Sequence, residues 1–181
     1  KATEFVILCF GGSLGSGKIN STMVRVIEAV NGMPDTRLFF ITGKYYYQKV
    51  CDTFKEANIV LNENINILEY ADNMHEYLSA SDLVISRAGA LTVSEITACG
   101  KAAILIPSPN VTGNHQYYNA RVVADKGGAI LMEEKDLSDE KLLGIILRLK
   151  NNKEALNSMS EASGKIGRLD AVDMIYDHLG I

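Results

Sequence analysis

The sequence predicts a doubly wound α/β domain: a parallel sheet of about six strands with helices on both faces. Three observations carry this. Short apolar runs such as residues 5–10 and 102–106 show no polar alternation, as strands covered on both faces require. Segments with a helical apolar period separate those runs. Glycine-bearing turns stand where strand gives way to helix, and a β-α repeat of this kind implies right-handed crossovers within one sheet.

Taken in order, residues 5–10 are the first strand and GGSLGSGK, residues 11–18, is the turn that follows. Residues 20–30 carry Met23, Val24, Val26, Ile27 and Val30 at helical spacing, and Asn31-Gly32 with Pro34 beyond ends that helix. The alternation continues with a strand at 37–42, a helix at 45–57, a short strand at 66–68 and a short helix at 73–79. A fourth strand at 83–86 leads to a helix at 92–99, and a fifth at 103–106 is stopped by Pro107 and Pro109. A helix at 114–126, a sixth strand at 128–132 and helices at 138–149, 153–163 and 170–179 complete the pattern. Ligands of such sheets bind at the carboxyl ends of the strands, near the point where strand order reverses.

Composition narrows the function classes. The 181 residues, 47% hydrophobic, suffice for one core, and no proline- or serine-rich linker, low-complexity tract or internal repeat divides residues 1–181. The net charge is −4 with scattered basic residues, which argues against nucleic acid as a partner. No apolar run approaches the roughly 20 residues of a transmembrane segment, so a soluble or peripheral protein is expected. Cys9, Cys51 and Cys99 are odd in number and lack metal-site spacing, as reduced cytosolic thiols would be. The chain opens on Lys1 and enters a strand almost at once, without a signal peptide, which suggests a piece of something longer.

Three loops carry the candidate chemistry. In SRAGALTVSE, Gly89 allows a tight turn with little side-chain bulk, and Thr92 to Glu95 fits the [ST]-x-x-[DE] start of a helix. Unpaired N–H groups at such a start suit an anion, while Glu95, taken by pattern alone, reads first as a capping carboxylate that bonds back to its own helix start and only second as a ligand residue. The first loop approaches two phosphate-binding patterns and satisfies neither. Ile19 stands where a magnesium-ligating hydroxyl would be needed, and Asn20 replaces the third glycine of the dinucleotide fingerprint. A glycine turn with the Ser13 hydroxyl, aimed at a helix start, remains. In the third loop, GNHQYYNA, Gln116 and Asn119 share a helix face and could reach sugar hydroxyls, with His115 beside them. No carboxylate pair and no nucleophile with an adjacent base is evident, so no catalytic residue is assigned within this chain.

Taken together, GGSLG, SRAGALTVSE and GNHQYYNA resemble, in order and spacing, the carboxyl-terminal, donor-binding half of glycosyltransferase family 28. That resemblance covers essentially the whole chain. It implies a Rossmann-like domain forming one half of a GT-B transferase, with UDP-GlcNAc as donor. It also implies transfer of GlcNAc, with inversion, to lipid I (undecaprenyl-pyrophosphoryl-MurNAc-pentapeptide), giving lipid II for peptidoglycan synthesis at the cytoplasmic face of the bacterial membrane. The acceptor contacts and the base would belong to an amino-terminal domain outside this chain, leaving this half inactive alone, and no metal or other cofactor would be obligatory. Residue by residue, the resemblance implies that Glu95 binds the ribose and that Ala90, Leu91 and Thr92 meet the diphosphate and sugar. It places Gln116, His115 and Asn119 at the sugar, Ser13 near the phosphates, and Ala71, in the loop Tyr70 to Met74, against the uracil. Ala71 stands where the family commonly has a larger aliphatic residue. Two other functions are compatible with these loops: a free donor subunit of a two-subunit lipid-linked GlcNAc transferase, and a non-catalytic nucleotide-sugar binding domain.

Overall fold

The computed structural model describes residues 4–168 together with His178. Among these residues, six strands, β1 (Phe5–Phe10), β2 (Thr36–Ile41), β3 (Ile65–Leu68), β4 (Leu83–Ser86), β5 (Ala102–Leu105) and β6 (Ala129–Leu131), form one sheet in the order β3-β2-β1-β4-β5-β6. Every pairing is parallel, with Ile7 opposite Leu38 on one side and Leu83 on the other. The strand order reverses between β1 and β4. This is the doubly wound sheet that the sequence predicts.

Among the described residues, seven α-helices connect and cover the strands: α1 (Gly17–Val30), α2 (Tyr47–Glu56), α3 (Met74–Ala80), α4 (Ala90–Ala98), α5 (His115–Asp125), α6 (Asp139–Asn151) and α7 (Lys153–Gly164). Because successive strand residues point to opposite faces, each central strand feeds two cores at once. Ile7 and Cys9 join Leu38, Phe40, Ile85 and Ile104 beneath α1, α2, α6 and α7. Leu8 and Phe10 join Val84, Ala103 and Leu105 beneath α3, α4 and α5. Double coverage explains the absence of polar alternation in these strands. Cys9 is fully buried, and that burial pushes its thiol far above the usual range, so it serves as a small apolar filler.

The helix starts differ from those expected. α1 begins three residues early, at Gly17, because Ser16 takes the N-cap position and its Oγ accepts the Ile19 N–H at 3.4 Å. α4 begins at Ala90 with Gly89 as N-cap and no side-chain cap bond. Thr92 therefore lies inside the helix, and the capping box drawn from Thr92 and Glu95 does not form. A short 3-10 turn, Thr112–Asn114, takes up the residue assigned to the start of the fifth helix. The helix expected over residues 170–179 falls, His178 apart, outside the described residues. Among the described residues, no helix is long and apolar enough to cross a membrane.

Candidate functional site: a polar cleft at the reversal of strand order

Adjacent parallel strands with crossovers on opposite faces leave a crevice between their carboxyl ends. Here that crevice lies beyond β1 and β4, where a cleft of about 420 Å³ is lined by Gly11, Gly12, Gly15, Ser16 and Gly17 from the first loop. Arg87, Gly89 and Thr92 form its second wall, and Ser108 and Asn110 from the loop after β5, Gln116 from the first turn of α5 and Glu134 from the segment after β6 close it. Two helix starts thus converge on it, that of α1 at Gly17 and that of α4 beside Gly89. The N–H groups of the first turn of α4 have no side-chain acceptor at the N-cap, so they present donors and a positive dipole end to whatever fills the cleft.

Backbone contact between loops gives the first wall its shape. Gly15 has φ +80, and a Cβ built there would lie 2.1 Å from the Thr42 carbonyl oxygen. Gly43, with φ +83, meets Gly15 from the other side, where an added Cβ would come within 2.6 Å of the Gly15 Cα. Only glycine at both positions lets the loops after β1 and β2 lock together. Asn20, on the first turns of α1, ties the same region by donating from Nδ2 to the Thr42 carbonyl at 2.9 Å.

Arg87 is the hub of the second wall. Its guanidinium donates to the Ser16 Oγ at 2.7 Å and to the carbonyls of Ile106 at 3.2 Å and Pro107 at 3.1 Å. It also forms an ion pair with Glu134, from the 3-10 turn Glu134–Asp136 after β6. One side chain therefore joins the loops after β1, β4, β5 and β6. The fixed planar fork of arginine can satisfy several acceptors at once, which a lysine ammonium cannot do with the same geometry.

The expected site residues separate into groups. Gly89, Thr92 and Gln116 line the cleft. Ala90, Leu91 and Glu95 lie on the exposed first turns of α4 next to it. Gln116 and Asn119 brace the turn: Gln116 Oε1 accepts from Ser108 N–H at 2.9 Å and Ala88 N–H at 3.4 Å, while Asn119 Nδ2 donates to the Ala88 carbonyl at 3.1 Å. The amides expected to face a sugar thus spend part of their hydrogen-bonding capacity on holding the Arg87-Ala88-Gly89 backbone. His115 is exposed, with Nδ1 2.9 Å from the Thr112 carbonyl, and does not line the cleft. Ser13 is exposed on a turn closed by Gly15 N–H to the Gly12 carbonyl at 3.0 Å, and the loop hydroxyl in the cleft wall is that of Ser16. The Ala71 side chain packs into the core with Leu8, Phe10 and Ile41.

Arg87, Ser16 and Glu134 were not among the expected site residues. A charged residue at the end of a buried strand, one position beyond Ser86 and two beyond the wholly apolar run 83–85, is the available signal for Arg87. Nothing in the sequence singles out Glu134 from its neighbour Glu133. Around the cleft, Leu14, Tyr45, Tyr70, Leu91 and Tyr118 are large, exposed and drawn from the segments after β1, β2, β3, β4 and β5 in turn, so apolar groups ring this edge of the sheet. Among the described residues, no group of three His, Cys, Asp or Glu side chains is arranged to hold a metal ion.

The glycosyltransferase family 28 C-terminal domain model matches residues 6–175. The chain belongs to this family. A family member from a Thermoanaerobacter species, named as UDP-N-acetylglucosamine–N-acetylmuramyl-(pentapeptide) pyrophosphoryl-undecaprenol N-acetylglucosamine transferase, is 42% identical over 171 residues, 94% of this chain and 46% of the relative. The protein of the same name from Desulforamulus reducens is 40% identical over 177 residues, 97% of this chain and 48% of its own. The chain thus spans about half the length of the curated relatives it matches. Among solved structures, the crystal structure of Acinetobacter baumannii MurG superposes with a TM-score of 0.82 at 25% identity, covering 99% of this chain and 50% of that one. A putative UDP-N-acetylglucosamine 2-epimerase from Listeria monocytogenes shares the fold, with a TM-score of 0.73 at 20% identity over 98% of this chain and 46% of its own. The family 28 domain is therefore the GT-B half that the three loops resemble.

Proposed function

We propose that this domain binds the UDP-GlcNAc donor of the transferase that adds GlcNAc to undecaprenyl-pyrophosphoryl-MurNAc-pentapeptide, making lipid II from lipid I. The observation that carries this is the 42% identity to transferases so named, over 94% of the chain, combined with the polar cleft at the β1/β4 reversal. The chemistry fits a diphosphate leaving group. N–H groups at the start of α4 and in the glycine loop would stabilise the charge that develops as UDP departs, so no metal is required for neutralisation. In this reading Glu95, one helical turn beyond Thr92, takes the ribose hydroxyls as an acceptor, and Leu91 and Thr92 approach the diphosphate and sugar. Lipid I and the base that deprotonates its hydroxyl belong to the other half of the protein, which would meet the ring of exposed apolar side chains at this edge. The full transferase would act peripherally at the cytoplasmic face of the membrane.

Calorimetric titration tests the reading directly, with UDP-GlcNAc as ligand, UDP-glucose and ATP as controls, and no added metal. Saturable binding that prefers UDP-GlcNAc is the expected result. Glu95→Ala should lower the affinity at least tenfold while leaving the Tm within about 3 °C, because an exposed side chain that caps no helix contributes little to folding. Preferential binding of ATP, or equal indifference to all three nucleotides, would overturn the donor assignment.

A further inference from the structure

Arg87 and Glu134 face each other across the wall of the same cleft, and that pairing poses a problem for an anionic ligand. The Arg87 side chain is only 13% exposed and that of Glu134 22%. A cation so withdrawn from water requires a nearby anion, and Glu134 supplies it. Yet both residues line the space bounded by Gly11, Gly12, Gly15 and Gly17, where a diphosphate would lie. A phosphate there and a carboxylate on Arg87 would repel each other at short range.

We propose that Glu134 is a resident substitute for a ligand phosphate: it neutralises Arg87 while the cleft is empty and yields the guanidinium when a diphosphate enters. The inference rests on the donor-binding reading above and adds to it the group that the incoming anion must displace. The rest of the Arg87 network is built for such an exchange. Ser16 Oγ and the carbonyls of Ile106 and Pro107 hold the guanidinium by bonds that do not involve Glu134, so the cation stays in place when the carboxylate leaves. Glu134 stands on a short 3-10 turn with a flexible side chain, whereas Arg87 follows the buried strand β4. The neighbouring lysine, Lys135, is paired with Glu133 at 3.2 Å, and of the two cations that line the cleft, Arg87 and the exposed Lys18, it is Arg87 that Glu134 pairs with. The exchange makes the cleft selective for ligands that bring enough negative charge to replace the carboxylate.

The test compares UDP with uridine on the wild-type chain and on Glu134→Gln, by calorimetric titration. Removing the competing charge should tighten UDP binding roughly five- to tenfold and leave uridine binding unchanged, since only the phosphates contend with the carboxylate. In the wild-type chain, saturation with UDP should also move the side-chain carboxyl resonance of Glu134, and uridine should not. This second readout holds even if the variant folds poorly. UDP affinity that is unchanged or weaker in Glu134→Gln, uridine affinity that moves in parallel, or a carboxyl resonance indifferent to UDP would overturn the exchange and make Glu134 a structural prop. A wild-type chain that binds neither compound would remove the donor reading as well, whereas wild-type binding of UDP with no gain in the variant removes the exchange alone.

Discussion

Arg87→Ala is expected to abolish measurable nucleotide binding and to lower the Tm by roughly 5–10 °C, an effect of about 2–3 kcal/mol in a chain of this size. The change removes four partners at once. Two strand-end carbonyls lose their donor, Ser16 loses the bond that fixes it to the neighbouring strand end, and Glu134 is left three-quarters buried without a cation. Arg87→Lys separates charge from geometry. A lysine restores the charge opposite Glu134 but cannot span Ser16 and two carbonyls, so about half of the lost stability should return while binding stays at least tenfold weak. Thermal melts and titration on the two variants check this. Full rescue by lysine would show that Arg87 acts only as a point charge.

The second large effect is expected in the glycine loop, where two positions with similar backbone angles should behave very differently. Gly12 and Gly15 have φ of +90 and +80. A side chain at Gly12 meets nothing within 4 Å, whereas one at Gly15 would lie 2.1 Å from the Thr42 carbonyl oxygen and 2.9 Å from the Tyr46 ring. Gly12→Ala should therefore cost only the left-handed backbone term, about 1–2 kcal/mol. Gly15→Ala carries the same term plus displacement of one backbone by another, in total roughly 3–5 kcal/mol. Melting curves should show shifts that differ by at least twofold. Equal shifts would mean that the loops after β1 and β2 separate easily and that their contact does not shape the cleft.

Most of the sheet was legible because hydrophobic burial on two faces writes itself into sequence as unbroken apolar runs, as at residues 5–10 and 83–85. Helix starts were less so. Thr92 to Glu95 has the residues of a capping box, but the small Gly89-Ala90 pair lets the helix begin one turn sooner, and local pattern cannot see that permission. The three loops were recognisable as a set because β1, β4 and β5 end at one edge. Their internal division of labour was not. Gln116 and Asn119 look like ligand amides in sequence, yet the backbone of Ala88, 28 and 31 residues away, takes part of their capacity. The Arg87 hub depends on contacts 47 and 71 residues away, which no spacing rule connects.

That separation has a consequence for how the domain behaves as a folding unit. The β1–β4 junction brings Val6 N–H to the Asp82 carboxylate at 2.7 Å across 76 residues, and the cleft straddles the same junction. One wall comes from the β1-to-β3 segment and the other from the β4-to-β6 segment, so neither owns the complete cleft. Binding competence should thus appear only at the last, cooperative docking of the two segments, rather than with either one's secondary structure. By linkage, any ligand that touches both walls acts as a clasp across the junction and stabilises the whole domain in proportion to the logarithm of its concentration. Amide exchange should register that clasp at Leu8 and Val84, deep in the sheet, as strongly as at the loops that meet the ligand.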